Sequence, residues 1–151
     1  MPENDKTAEP APPTEFYSRL SAKLGAPGIR SDQDLAALVE KRLPATTIKS
    51  LVSGGLSDAE VYELIVPRRT LAHRIARHQP LSKEESDKAV RVARITTMAE
   101  RAFRDAEKAW RWLRKPKRRF AGKTPIEMLA TEAGARLVEE MIFQFEYGMT
   151  A

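Results

Sequence analysis

The 151-residue chain contains no cysteine, which rules out both a disulfide framework and a thiolate metal site and points to a reducing, cytoplasmic compartment. It has no apolar run near the ~20 residues of a membrane-spanning helix. Its opening stretch, MPENDKTAEPAPPTE, lacks the basic-then-apolar order of a secretion signal, so no membrane association is expected. Histidine is scarce: His73 and His78 stand five apart, not the four that puts two ligands on one helix face, so no metal is expected. Neither G-x-x-x-x-G-K-[ST] nor G-x-G-x-x-G occurs, and no Ser is placed with a convincing base. The chain is therefore expected to have no enzymatic activity and no cofactor. Strand-type alternation is missing as well, which leaves an all-α fold.

Against these absences stands a cationic excess. Lys and Arg number 26 against 21 acids, and the net charge of +5 makes an anionic partner plausible. Residues 1–15 hold four prolines and four acids with almost nothing apolar, a composition too poor to offset its own ordering entropy. Residues 1–30 are accordingly read as a largely disordered arm. Phe16, Tyr17, Leu20 and Leu24 offer material for a short ordered segment that Gly25, Pro27 and Gly28 interrupt.

From residue 31 onward, helix start and stop signals follow one another. Ser31 precedes a helix with Leu35, Leu38, Val39 and Leu43 on one face; Pro44 suits the first turn of a second, 44–53, which Gly54-Gly55 ends with a left-handed cap. Ser57 and Glu60 form a capping box, Pro67 opens the next helix, and Pro80 closes it. Ser82 and Glu85 form a second box ahead of a long helix with an alanine-rich stripe, which Arg104-Asp105 is expected to break. Thr124, Pro125 and Glu127 make a third capping box ahead of a last helix that faces the core with Val138, Met141, Ile142 and Phe145 and ends at Gly148.

Residues 57–77 outline a helix-turn-helix, whose second member enters the major groove of DNA. No acid occurs between Leu64 and Lys83. With Leu71 and Ile75 facing the core, the candidate DNA-binding residues are Arg68, Arg69, Thr70, His73, Arg74 and Arg77, since Arg pairs with guanine edges and neutralises phosphate. A merely solvated basic face has the same pattern. A second basic stretch, WRWLRKPKRRFAGKTP at 110–125, suits a nucleic-acid grip, a membrane-surface anchor or a protein interface.

These segments resemble the Xre-like antitoxins of the Xre-RES type, the MbcA/ParS group of type II toxin–antitoxin systems. The carriers are PRRTLAHR and LSKEESD in the first part, then W-L-x-x-P, G-x-T-P, L-x-T-x-x-G and a terminal aromatic-Gly in the second. The resemblance implies a helix-turn-helix module over 31–98, followed by a small helical toxin-binding domain over 99–151. It also implies inhibition of a RES-domain toxin that depletes NAD, autorepression at operator DNA, and a homodimer within a hetero-oligomeric toxin–antitoxin complex. On this reading Trp112 is framework and Trp110 is exposed. The candidate toxin-binding residues are Trp110, Glu139, Glu140, Gln144, Tyr147, Gly148, Met149, Thr150 and Ala151. Two departures from the group stand out: PKRRFAG replaces P-N-x-x-L-G-G, and F-R-D replaces F-G-D. The rival reading is a stand-alone Xre-like repressor whose C-terminal domain dimerises or senses.

Overall fold

The computed structural model describes residues 14–148; the proline-rich start and Met149, Thr150 and Ala151 lie outside the described residues. Within them the chain is all-α. The helices run α1 (Glu15–Leu24), α2 (Asp32–Lys41), α3 (Thr47–Ser53), α4 (Asp58–Leu64), α5 (Arg68–Ala76), α6 (Lys83–Phe103), α7 (Ala106–Leu113), α8 (Pro125–Met128) and α9 (Glu132–Tyr147), with one 3-10 turn at Arg118–Phe120. No helix among the described residues is long and apolar enough to cross a membrane.

α6 is the spine on which α1, α2, α4, α7 and α9 pack. Its Ala89, Ala93 and Ala99 are fully buried, and side chains this small let neighbouring helices approach closely on both sides. Two of the three expected capping boxes are present. Ser57 Oγ accepts from Glu60 N at 3.2 Å while Glu60 Oε1 accepts from Ser57 N at 2.9 Å, and Ser82 and Glu85 do the same at the head of α6 at 3.0 and 2.8 Å. The buried Ser86 hydroxyl accepts from Leu43 N at 2.9 Å, and Leu43 O accepts from Leu81 N at 2.8 Å, which pins the α2–α3 connection to the start of the spine. The expected division at 98/99 falls inside α6, so both halves of the molecule share this helix.

Several boundaries differ from the sequence reading. Residues 15–30 are not an arm: α1 buries Leu20 and Leu24, four residues apart, against the spine. Lys23 on its inner face forms a buried ion pair with Glu100 and donates to Thr96 Oγ1 at 3.2 Å; burial pulls the Lys23 pKa down while the Glu100 carboxylate opposes that pull. α3 begins at Thr47 because Pro44 lies in the turn before it, where Pro44 O accepts from Thr47 N. Of the glycine pair only Gly55 has a positive φ, +125°.

The long helix does break at F-R-D. Arg104 takes φ +55°, the left-handed conformation that glycine occupies at lower cost, and Asp105 Oδ1 then accepts from Lys108 N to start α7. The last helix is in fact two. Thr124 caps the four-residue α8 by accepting from Glu127 N at 3.1 Å without the return bond of a capping box, and Thr131 Oγ1 accepts from Gly134 N at 3.0 Å to start α9. Gly134 is required there, since a Cβ would meet Met128 O at 2.1 Å. The T-x-x-G of the family pattern is thus a cap followed by a close backbone approach.

Candidate partner-binding surfaces

The second helix of the helix-turn-helix, α5, buries only Leu71. At about 100° per residue, the face opposite Leu71 carries Arg69, Ala72, His73 and Ala76, flanked by Arg68 and Arg77, and all six are exposed. Thr70 is half-buried at the edge of this face.

Arg74 departs from its expected role. It turns back toward α6, where its Nε and Nη2 donate to the two Glu85 carboxylate oxygens at 2.8 and 3.2 Å. Burial pushes the Glu85 carboxyl up, but the bonds from Arg74 and the Ser82 N–H hold it below the usual carboxylate value. Arg74 therefore orients the recognition helix and is not a free cation. Ile75, expected in the core, is 45% exposed.

α7 lies between the two halves. Trp110 and Trp112 are two residues apart and so point to opposite sides of the helix. Trp110 was expected at the surface, but it is only 8% exposed and packs on Gly55, whose added Cβ would lie 2.6 Å from the indole. The Arg114 guanidinium lies over the same ring, 4.7 Å from its centroid, and grips Glu60 through two bonds at 2.7 and 3.1 Å and Gly55 O at 2.7 Å. Burial raises the Glu60 carboxyl, yet the Arg114 and Ser57 bonds bring it below the ordinary value. This joint removes Trp110 from any partner surface. Trp112 is half-buried among Phe103 and Phe145, with centroids 5.6 and 6.3 Å away.

α9 is anchored by Ala135, Val138 and Ile142, all at most 1% exposed. On the far side Arg136, Glu140, Phe143 and Tyr147 form a stripe, with Gln144 beside it. The Phe143 and Tyr147 rings pack against each other at a 44° tilt, centroids 4.7 Å apart, and are 57% and 66% exposed. Arg136, Glu139, Glu140, Phe143 and Gln144 line a cleft of about 370 Å³. Of the expected contact residues, Glu140, Gln144, Tyr147 and Gly148 are exposed, whereas Glu139 is drawn inward by Arg94 at 2.9 Å. Gln144 Oε1 accepts from Arg119 Nη1 at 3.0 Å, which ties the basic loop to this helix.

Two aromatic assignments change. Phe145, expected in the core, is 50% exposed, and the sequence reading missed Phe143 and Leu137, the latter 48% exposed. The signal was available, because MIFQFEY holds more large apolar residues than one buried stripe can take. The loop between the joint and α8 exposes Lys115, Arg118, Arg119 and Lys123, and Lys117 lies over Trp112 at 5.1 Å. Burial and the neighbouring Lys115 push the Lys117 pKa down.

Residues 34–94 match the Antitoxin Xre-like helix-turn-helix domain, and residues 98–148 match the Antitoxin Xre/MbcA/ParS C-terminal toxin-binding domain. The chain is 43% identical over 134 residues to a protein named Antitoxin Xre from Pseudomonas putida KT2440, covering 89% of this chain and 84% of the relative. It is 26% identical over 124 residues to an Antitoxin Xre of Photorhabdus laumondii, covering 80% and 84%. A Prs ADP-ribosylating antitoxin of Sphingobium sp. is 25% identical over 132 residues, covering 80% and 83%.

Proposed function

Because the chain belongs to the Xre antitoxin family, we propose that it binds and inhibits a RES-domain toxin that consumes NAD, and that it represses its own operon through α4 and α5. In this reading it acts as a homodimer within a hetero-oligomeric complex. Residues 31–98 carry the DNA contact and 99–151 the toxin contact, with α6 common to both.

The observation that carries the toxin contact is the outer stripe of α9. Two adjoining aromatics more than half exposed, on a helix whose other face is fully buried, are an anchor of the kind that dominates protein interfaces. Glu140 beside them favours a toxin surface that is apolar at its centre and cationic at its rim. Inhibition is steric: the helix, with Gly148 and the Met149–Ala151 segment beyond it, covers the mouth of the NAD site.

Cellular NAD, measured with the RES-domain toxin co-expressed at matched antitoxin levels, tests this. F143A/Y147A is expected to restore NAD loss while promoter binding persists, and deletion of 149–151 tests the share of the tail. Full protection by F143A/Y147A would move the contact elsewhere, and no NAD loss with toxin alone would favour the stand-alone repressor. The name of the Sphingobium relative supports a second chemistry, in which the toxin transfers ADP-ribose to a protein. Labelled NAD separates the two, since label fixed on protein marks transfer and released label marks hydrolysis.

A further inference from the structure

The basic stretch that begins at α7 has no part in either contact described so far. Between Glu107 and Glu127 the sequence holds eight Lys or Arg and no acid, so nothing local neutralises it. The fold closes the second half of this stretch into a rigid loop. Lys117 N donates to Lys123 O at 3.1 Å, Gly122 N donates to Lys117 O at 3.0 Å, and Phe120 between them is 7% exposed, a plug that fixes the loop to the core. Lys115, Arg118 and Lys123 stand exposed around it. Among the described residues none of the three makes an ion pair. Like charges gathered on a fixed backbone repel one another, a cost that a bound anion removes.

From this we infer that Lys115, Arg118 and Lys123 grip the phosphate backbone of duplex DNA beside the site read by α5, so that the C-terminal half adds a second, sequence-independent DNA contact. The inference rests on the operator reading above and extends it to a new surface.

Three features select a duplex backbone over other occupants. The aromatics of the stretch are withdrawn, since Trp110 and Phe120 are buried and Trp112 is half-buried beneath Lys117, which leaves no platform on which the bases of a single strand could stack. The same withdrawal leaves the loop without an exposed large apolar side chain, which a membrane-surface anchor or the centre of a protein interface needs. Position is the third. The loop leaves α7 just after Arg114, which is bonded to Glu60 and to Gly55 O at the start of α4. In a helix-turn-helix the first helix crosses the DNA backbone while the second enters the groove, so these cations begin beside the element that lies against phosphate. Arg119, bonded to Gln144, and Lys117, over Trp112, are engaged elsewhere.

Fluorescence anisotropy of the full chain with its promoter duplex and with an unrelated duplex, each over a salt series, tests this on K115S/R118S/K123S and on the charge-retaining K115R/R118K/K123R. Phosphate contacts carry no sequence information, so the serine variant should weaken both duplexes roughly tenfold, lower the slope of log affinity against log salt by about two to three, and keep the ratio between the duplexes within about twofold of wild type. The charge-retaining variant should keep the wild-type slope. An unchanged slope in the serine variant, with R69A still lowering it, overturns the proposal and leaves the operator reading standing; a lowered slope with R69A unchanged supports the loop and removes α5 as the reader. A loss confined to the promoter duplex, or a charge-retaining variant as weak as the serine one, overturns the proposal. So does NAD protection lost in a folded serine variant that binds both duplexes as the wild type does, which would assign the loop to an acidic toxin surface. A wild type that binds neither duplex overturns the proposal and the operator reading together.

Discussion

The two helices proposed to face partners are held in opposite ways. α9 is 16 residues long and sits on a buried apolar stripe, so its outer face is presented by a rigid core element. α5 is nine residues long and buries only Leu71; what fixes its rotation is the two-bond grip of Arg74 on Glu85. A helix held by apolar area tolerates surface changes and resists salt and pH. One held by a charged tether can shift by small amounts, which suits a reader that adjusts to DNA, but it depends on the protonation of a single carboxylate. The difference between an apolar anchor and a polar tether sets the expected size of each change below.

The largest effect is expected at the anchor. Ile142→Ala deletes a side chain that is 1% exposed and should cost about 3 kcal/mol in urea unfolding. A loss well under ~1 kcal/mol would mean that α9 is not core-anchored and that the contrast fails.

The tether comes next. Arg74→Ala removes both bonds to Glu85 and should cost roughly 1.5 kcal/mol. It should weaken promoter binding without changing the salt slope, because Arg74 does not face phosphate. Arg69→Ala should leave stability alone and reduce that slope by about one. Equal slopes in the two variants would return Arg74 to the DNA surface.

Between the two halves, Arg104→Gly relieves a left-handed residue and should raise stability by about 1 kcal/mol. A calorimetric melt reads the gain, and a loss would show that the Arg104 side chain contributes more than its backbone costs.

The smallest effect is in acid. Glu60 and Glu85 titrate below the ordinary 4.5 in the folded chain, so the stability they add is present above that pH and is lost as pH falls through their lower folded values. Both carboxylates are in the N-terminal half. Hydrogen exchange of α4 and α5 should therefore accelerate before that of α9 as pH drops from 5 toward 3. E60Q/E85Q should flatten the difference, and simultaneous opening of all three helices would erase the contrast.

What the sequence discloses follows from the range of the interaction involved. The capping boxes at Ser57 and Ser82 and the break at Asp105 are legible because each depends on residues three apart. The helix-turn-helix follows from them. Arg74–Glu85 and Arg114–Glu60 are 11 and 54 residues apart, so nothing local distinguishes these arginines from free surface cations. The exchange of roles between the tryptophans has the same origin. W-L continues an amphipathic pattern for Trp112, while Trp110 is buried only because Gly55, distant in sequence, leaves room for a ring. The split into α8 and α9 was written in L-x-T-x-x-G, but a threonine cap reads as such only once Gly134 is seen against Met128 O. Ile75 was misplaced for a similar reason: Leu71 and Ile75 share a stripe, and the stripe is wider than the core beneath it.

The spine has a length as well as two faces. At 1.5 Å per residue, its 21 residues measure about 32 Å, close to one turn of the double helix. It carries α9 along its C-terminal half, from Arg91 to Phe103, and Glu85 holds the recognition helix near its start. Under the function proposed above, a toxin seated on α9 would be held at a distance from the groove set by an unbroken helix and not by a flexible tether, and a toxin large enough to reach back along that helix would crowd the DNA face.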